Sequence, residues 1–251
     1  MKILSQIIPF VFSTVKEFRI DESHAVGHAF DVLHHAHVNW KSSLESYPHL
    51  EDQQNVIYTS ALVHDLCDAK YVDPGKGLAK IQYHLAGQTE LSPVEIGAVS
   101  SIITTMSYSK VRKKGFPTLG TYQYAYHIVR EADLLAAYSP DRSILYNMYC
   151  VDPHWKQATK NAHNLMRNRV WKHGEDKLFL TPYGKTLYKE YEAESRRRMD
   201  VWLQILHDST IITGTSGVDL HKTGYMYSAV DTGGGGGTDG TGGGTVDEIG
   251  V

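Results

Sequence analysis

The chain has 251 residues, and Lys+Arg 25 against Asp+Glu 28 gives a formal net charge of −3. That balance excludes a broadly basic nucleic-acid binder. Two cysteines, Cys67 and Cys150, exclude a disulfide framework or a cysteine-rich zinc site. Nine of the 22 glycines fall between Gly233 and Gly244, so the folding part is expected to end near residue 210, long enough to bury one core unaided.

The first stretch, Met1-Lys2 and then Ile3 to Val15, is apolar but broken by Ser5, Gln6 and Pro9, with no small-residue cleavage site before Lys16-Glu17. It reads as a first helix packed on the core rather than as a targeting segment. No apolar run approaches the roughly 18 residues that cross a bilayer, so a cytoplasmic protein with no membrane partner is expected. Helical spacing then begins at Ser23: Val26, Phe30 and Leu33 recur on one face, as do Ile57, Ala61 and Leu62. Asp73-Pro74-Gly75-Lys76-Gly77 predicts a loop. Ser92-Pro93-Val94-Glu95 predicts a helix start, with a cap, a proline in the first position and an acid in the first turn, leading into Ile96, Val99, Ile102 and Ile103. The basic stretch from Tyr108 to Gly120 predicts a second loop, and the helical pattern resumes from Tyr122 to Tyr138. Lys177–Leu180 is the one short strand signal, and Thr181-Pro182 opens a last long helix through Tyr188, Tyr191, Met199, Trp202 and Leu206. The expected fold is all-α: one helical bundle over residues 1–210, with its core at 20–207, followed by a disordered Thr/Gly-rich tail at 211–251 whose composition does not repay its ordering entropy.

Fourteen histidines stand out, because imidazole is the commonest metal ligand. The informative set is His28, His64, Asp65 and Asp133. A divalent ion in a nitrogen/oxygen site takes neutral imidazoles and ionised carboxylates, and two of each leave positions open for water and substrate. His64-Asp65 follows an apolar helical run. Neighbours on a helix diverge by about 100°, so the pair can share one ion only where facing helices bring His28 and Asp133.

The ordered motifs are Ser23-His24-Ala-Val-Gly-His28-Ala-Phe-Asp31-Val32, Ala61-Leu-Val-His64-Asp65-Leu-Cys-Asp68-Ala-Lys70-Tyr71, Ile103-Thr-Thr-Met-Ser107-Tyr108 and Val129-Arg130-Glu131-Ala132-Asp133-Leu134-Leu135. Together with Phe179-Leu-Thr181 and the charged helix after it, they resemble the metal-dependent phosphohydrolases of the HD-domain superfamily. The likeness runs over about residues 20–207 and is greatest to the small stand-alone bacterial members, the YedJ/YpgQ-like group. What the resemblance implies is a helical bundle holding one divalent ion (Mn²⁺ first, with Mg²⁺, Co²⁺, Ni²⁺ or Fe²⁺ as alternatives) on His28, His64, Asp65 and Asp133. It also implies hydrolysis of phosphate esters or anhydrides, often of nucleotides. An arginine often stands three residues after the first metal histidine in that superfamily; here the residue is Asp31.

Asp68, at i+4 from His64 and i+3 from Asp65, is expected one helical turn on and on the same face, where it would orient water or pass a proton. Lys70 is the candidate for stabilising charge on the non-bridging oxygens. His24, Lys76, Lys80, Tyr108, Lys110 and Arg112 are the candidate substrate contacts. The leading expectation is a metal-dependent phosphohydrolase acting on a small phosphorylated partner, foremost a (deoxy)nucleoside triphosphate cut at a phosphoanhydride, with phosphomonoester and phosphodiester cleavage open. The alternatives are an HD-type iron oxygenase, which needs two further histidines of which His84 could be one while His127 stands too close to Asp133 to be the other, and a non-catalytic module with a structural metal.

Overall fold

A computed structural model describes residues 2–212. Ten α-helices and three short 3₁₀ turns make up the regular structure, and no strand occurs among the described residues. The fold is therefore all-α. Ile211 and Ile212 close the last helix; the rest of the expected Thr/Gly-rich tail lies outside the described residues.

The N-terminal stretch forms α1 (Lys2–Phe18), with Pro9 inside it and Ile3, Ile7, Phe10, Val11 and Thr14 buried along one face. Helix α2 (Val26–Ser43) buries His28, Ala29, Val32, His35, Ala36, Asn39, Trp40 and Ser43, a stripe at helical spacing. Helix α3 (Gln54–Val63) is buried from Val56 to its end, and α7 (Gln123–Ala136) is buried over most of its length. A helix buried on nearly all sides runs through the interior. Accordingly α2 packs on both α3 and α7, and α3 also meets α1 and α5 (Pro93–Thr105). One core lies under α1, α2, α3, α4 (Pro74–Gln88), α5 and α7, the last from Ala125 to Ala136. A second joins Leu134 and Leu135 at the end of α7 to α8 (Pro140–Cys150), α9 (Trp155–Asn168) and α10 (Pro182–Ile212). Helix α7 belongs to both, so its last turn sits where the two cores meet. No helix among the described residues is long and apolar enough to cross a membrane.

The predicted start of α5 forms a capping box: Ser92 Oγ accepts the Glu95 N–H at 3.3 Å, and the Glu95 carboxylate accepts the Ser92 N–H at 2.7 Å. Three local expectations need correction. Asp73–Gly77 is a helix start rather than a loop, because Asp73 caps α4 through the Lys76 N–H and Pro74 takes the first position. Gly77 lets that helix approach the chain after α3: an added Cβ would lie 2.8 Å from Cys67 Cα. Tyr108–Lys114 is the short helix α6, with Arg112, Lys113 and Lys114 in its last turn, where they complement the helix dipole, and Gly115 closing it at φ 75°. Lys177–Leu180 forms no strand, since its backbone is satisfied elsewhere: the Leu180 N–H donates to the Glu131 carboxylate at 2.7 Å.

Candidate metal centre

Helix α3 ends at Val63, and the chain leaves it through tight turns: Leu66 N–H donates to Val63 O, and Asp68 N–H donates to Asp65 O. His64, in the cap position, donates its Nδ1–H to Ala61 O at 2.8 Å. That bond fixes the tautomer and turns the Nε2 lone pair away from the helix. His28 comes from the first turn of α2 and Asp133 from the last turn of α7, the two helices that flank α3.

Their donor atoms converge. His28 Nε2 lies 3.1 Å from His64 Nε2, 3.4 Å from Asp65 Oδ2 and 3.2 Å from Asp133 Oδ1. His64 Nε2 lies 3.2 Å from Asp65 Oδ2 and 3.7 Å from Asp133 Oδ1. His28, His64 and Asp65 form the tightest group, with all donors within 4.8 Å of one another, and these three could hold a metal ion. Around a cation with bonds of about 2.1 Å, neighbouring donors fall about 3.0 Å apart at octahedral angles and about 3.4 Å apart at tetrahedral ones. The spacings among His28, His64 and Asp65 fit that shell, and Asp133 Oδ1 joins it at 3.2 Å from His28 Nε2. Asp65 Oδ2 is buried with no hydrogen-bond donor to satisfy it, an arrangement that a cation relieves.

The charges of the cluster follow from its burial and its two carboxylates. Burial opposes ionisation of Asp65, yet the His64 imidazole beside it holds its carboxyl well below the usual range. Asp133 is likewise lowered against its burial, by the His28 hydrogen bond and then by the charge of His64. Burial alone would lower His64, but Asp65 and Asp133 outweigh it and hold it up at about 9. Burial, reinforced by Arg142, pushes His28 down to about 3. Two carboxylates thus keep one positive charge between them.

The cluster opens onto a cleft of about 340 Å³. Asp65 and Asp133 reach its wall, together with Ser23, His24, Asp68 and Lys70 from the first half of the fold. The other wall carries Tyr108, Arg142, Tyr146, Arg169 and His173. His24 sits in a polar network: its Nδ1 is 2.6 Å from Ser23 Oγ and 2.9 Å from Tyr71 Oη, and its Nε2 is 3.0 Å from Lys70 Nζ. Burial pushes this imidazole down to about 4. Lys70 Nζ also lies 3.6 Å from Asp68 Oδ2 and over the Tyr146 ring. Asp68 shares the cleft through the turn after α3, not through another helical turn, and its Oδ1 accepts the Lys70 backbone N–H at 2.9 Å.

Of the expected substrate contacts, His24 and Tyr108 line the cleft, whereas Lys76, Lys80, Lys110 and Arg112 do not. Lys76 is exposed on the first turn of α4, and Lys80 pairs with Glu17 of α1 at 2.7 Å. Lys110 Nζ donates to Thr104 O, and Arg112 is held by Tyr108 Oη and Asp176. These four are near the motifs in sequence but stand outside the lining of the cleft. Asp31 faces a neighbouring hollow of about 370 Å³ beside His34, His35 and Arg198. The guanidinium at the cluster comes instead from α8: Arg142 Nη2 lies 3.7 Å from Asp65 Oδ2, and its Nε–H donates to Ser23 O. Sequence reasoning missed Arg142, Tyr146, Arg169 and His173.

His84, the candidate second iron ligand, stacks on Phe10 and lies 3.2 Å from Gln6 O, so it is not part of the cluster. Among the described residues no second group of three histidine, cysteine or carboxylate donors forms.

No family profile matches the chain, and no curated protein matches it. Among solved structures, it is similar to a Lactobacillus plantarum protein from a structural-genomics crystal structure, with 19% identity and a TM-score of 0.61. The match covers 82% of this chain and 97% of that one. At such an identity the likeness shows the fold alone.

Proposed function

We propose that the chain is a metal-dependent phosphohydrolase of small phosphorylated molecules, with nucleotides as its foremost substrates and a phosphoanhydride of a (deoxy)nucleoside triphosphate as the foremost bond cut. The observation that carries this reading is the juxtaposition of a two-histidine, two-carboxylate cluster with three cations, Lys70, Arg142 and Arg169, in one cleft. His28, His64, Asp65 and Asp133 would hold the ion, with Mn²⁺ the first candidate. When bound, a divalent cation polarises a phosphoryl oxygen and acidifies water toward neutral pH.

The remaining work falls to this chain's own side chains. Arg142 is tied to Ser23 O beside Asp65, and it presents a fixed guanidinium where phosphoryl oxygens carry charge. Lys70, steadied by Asp68 and the Tyr146 ring, adds a second cation. Asp68 lines the cleft with Oδ1 on the Lys70 N–H and Oδ2 3.6 Å from the Lys70 ammonium, and there it would orient water or hand a proton to the leaving oxygen.

The direct test is a panel of nucleotides with added Mn²⁺, Mg²⁺ or Co²⁺, read by release of phosphate or pyrophosphate. Absence of metal-dependent release from every member would count against the reading. Within it, Arg142→Ala is expected to raise KM by about 10- to 100-fold, the worth of hydrogen bonds to a charged group. Arg142→Lys should recover only part of that. Steady-state kinetics on the best substrate of the panel checks both.

A further inference from the structure

Two residues lining the cleft carry buried side-chain atoms without a hydrogen-bond partner: Asp65 and His173. The Asp65 atom belongs to the donor cluster. His173 has no such account, for both ring nitrogens are buried and unpartnered and the residue is 1% exposed. Its backbone is satisfied, with the N–H on Val170 O and the carbonyl on the Leu178 N–H. Only the ring lacks partners. Its ring neighbours are Tyr108, at 5.1 Å between centroids, and Tyr138, at 5.8 Å. Arg169 lies over the same Tyr108 ring, 4.8 Å from its centroid.

A buried imidazole with two idle nitrogens destabilises a fold, and an apolar side chain of similar size would not. Such a group at the wall of a binding cleft has a use when a ligand supplies the missing partners. Burial, with Arg169 adding to it, pushes the imidazole down to about 3, so at neutral pH it offers one donor and one acceptor and no charge. Charge is already provided by Lys70, Arg142 and Arg169, which line the same cleft.

We propose that His173 is a specificity residue that hydrogen-bonds the uncharged part of the ligand, the sugar hydroxyls or base edge of a nucleoside, while the phosphates are held at the cluster. This rests on the nucleotide reading above and assigns the part of the cleft wall that Tyr108, Arg169 and His173 form.

The test compares two probes on the full-length protein with Mn²⁺: non-cleavable methylene-bridged nucleoside triphosphates, ribo and deoxy with each base, and inorganic tripolyphosphate. Titration calorimetry gives affinity, and thermal melting gives stability. His173→Leu is expected to melt no lower than the parent, to bind its best nucleotide roughly tenfold more weakly, and to bind tripolyphosphate unchanged. His173→Gln, whose amide keeps a donor and an acceptor, should recover part of the nucleotide affinity. If the loss disappears with the deoxy probe, the sugar is the partner; if it depends on the base, the base edge is. Equal losses for both probes, no loss for either, or a lowered melting temperature in His173→Leu would overturn the assignment. A parent protein that binds and cleaves tripolyphosphate but binds no nucleotide would also overturn it, and would leave the phosphohydrolase reading standing.

Discussion

Asp65→Ala is expected to remove metal and turnover together, with the rate on the best substrate falling about a thousandfold or more. The reasoning starts from position. Asp65 Oδ2 is 3.4 Å from His28 Nε2, 3.2 Å from His64 Nε2 and 3.7 Å from Arg142 Nη2, so it alone touches both imidazoles and the guanidinium. Its removal takes a ligand from the tightest group of donors and half of the negative charge that favours a cation there. Metal content measured after gel filtration should fall from near one ion per chain to a small fraction, while circular dichroism remains helical. Asp68→Ala is the contrasting case. Asp68 lies outside the donor cluster and holds Lys70, so metal content should be unchanged while turnover drops by about 10²- to 10⁴-fold, the range for a lost proton-transfer group. An Asp65→Ala protein that keeps its turnover would remove the basis for the proposed chemistry. An Asp68→Ala protein that loses its metal would place Asp68 among the ligands.

The cluster was legible in the sequence because its chemistry is concentrated in residue types. Imidazoles and carboxylates standing in apolar helical runs are conspicuous, and separations of 36 residues from His28 to His64 and 68 from Asp65 to Asp133 suit facing helices. The opposite wall of the cleft was not legible. Arg142, Tyr146, Arg169 and His173 lie on α8 or beyond α9, and they reach the cleft only because the second core folds against the end of α7. No local pattern marks an arginine as one that points into a cleft. Lys76, Lys80, Lys110 and Arg112 stand outside the cleft lining for the converse reason: nearness in sequence stood in for nearness in space, and Lys80 pairs with Glu17 of α1. The helix α6 was hidden by composition: basic residues with glycine and proline after them suggest a loop, yet the same basic residues and Gly115 suit a helix C-terminus.

Glu131→Ala is expected to be strongly destabilising, lowering the melting temperature by on the order of 10 °C, from about 3–5 kcal/mol lost. Glu131 is fully buried beside Arg130, whose Nη2 lies 3.0 Å from Oε1. The same carboxylate accepts the Leu180 N–H at 2.7 Å, the Thr181 N–H at 3.1 Å and the Thr181 hydroxyl at 2.6 Å. Thr181 Oγ1 in turn accepts from the Gly184 N–H and from Asn39 Nδ2, so one acid ties α7 to α2 and to the start of α10. Gly184 is required there, because an added Cβ would meet Glu131 Oε2 at 2.2 Å. Truncating Glu131 leaves a buried guanidinium whose Nε and Nη1 already lack partners, together with two backbone N–H groups without their acceptor. Arg130→Met added to Glu131→Ala removes the stranded charge but not the stranded amides, so it should restore only part of the loss. Urea unfolding of the three proteins separates the two contributions: a double variant as unstable as Glu131→Ala assigns the whole effect to the junction with α10, and a Glu131→Ala protein that melts with the parent contradicts both.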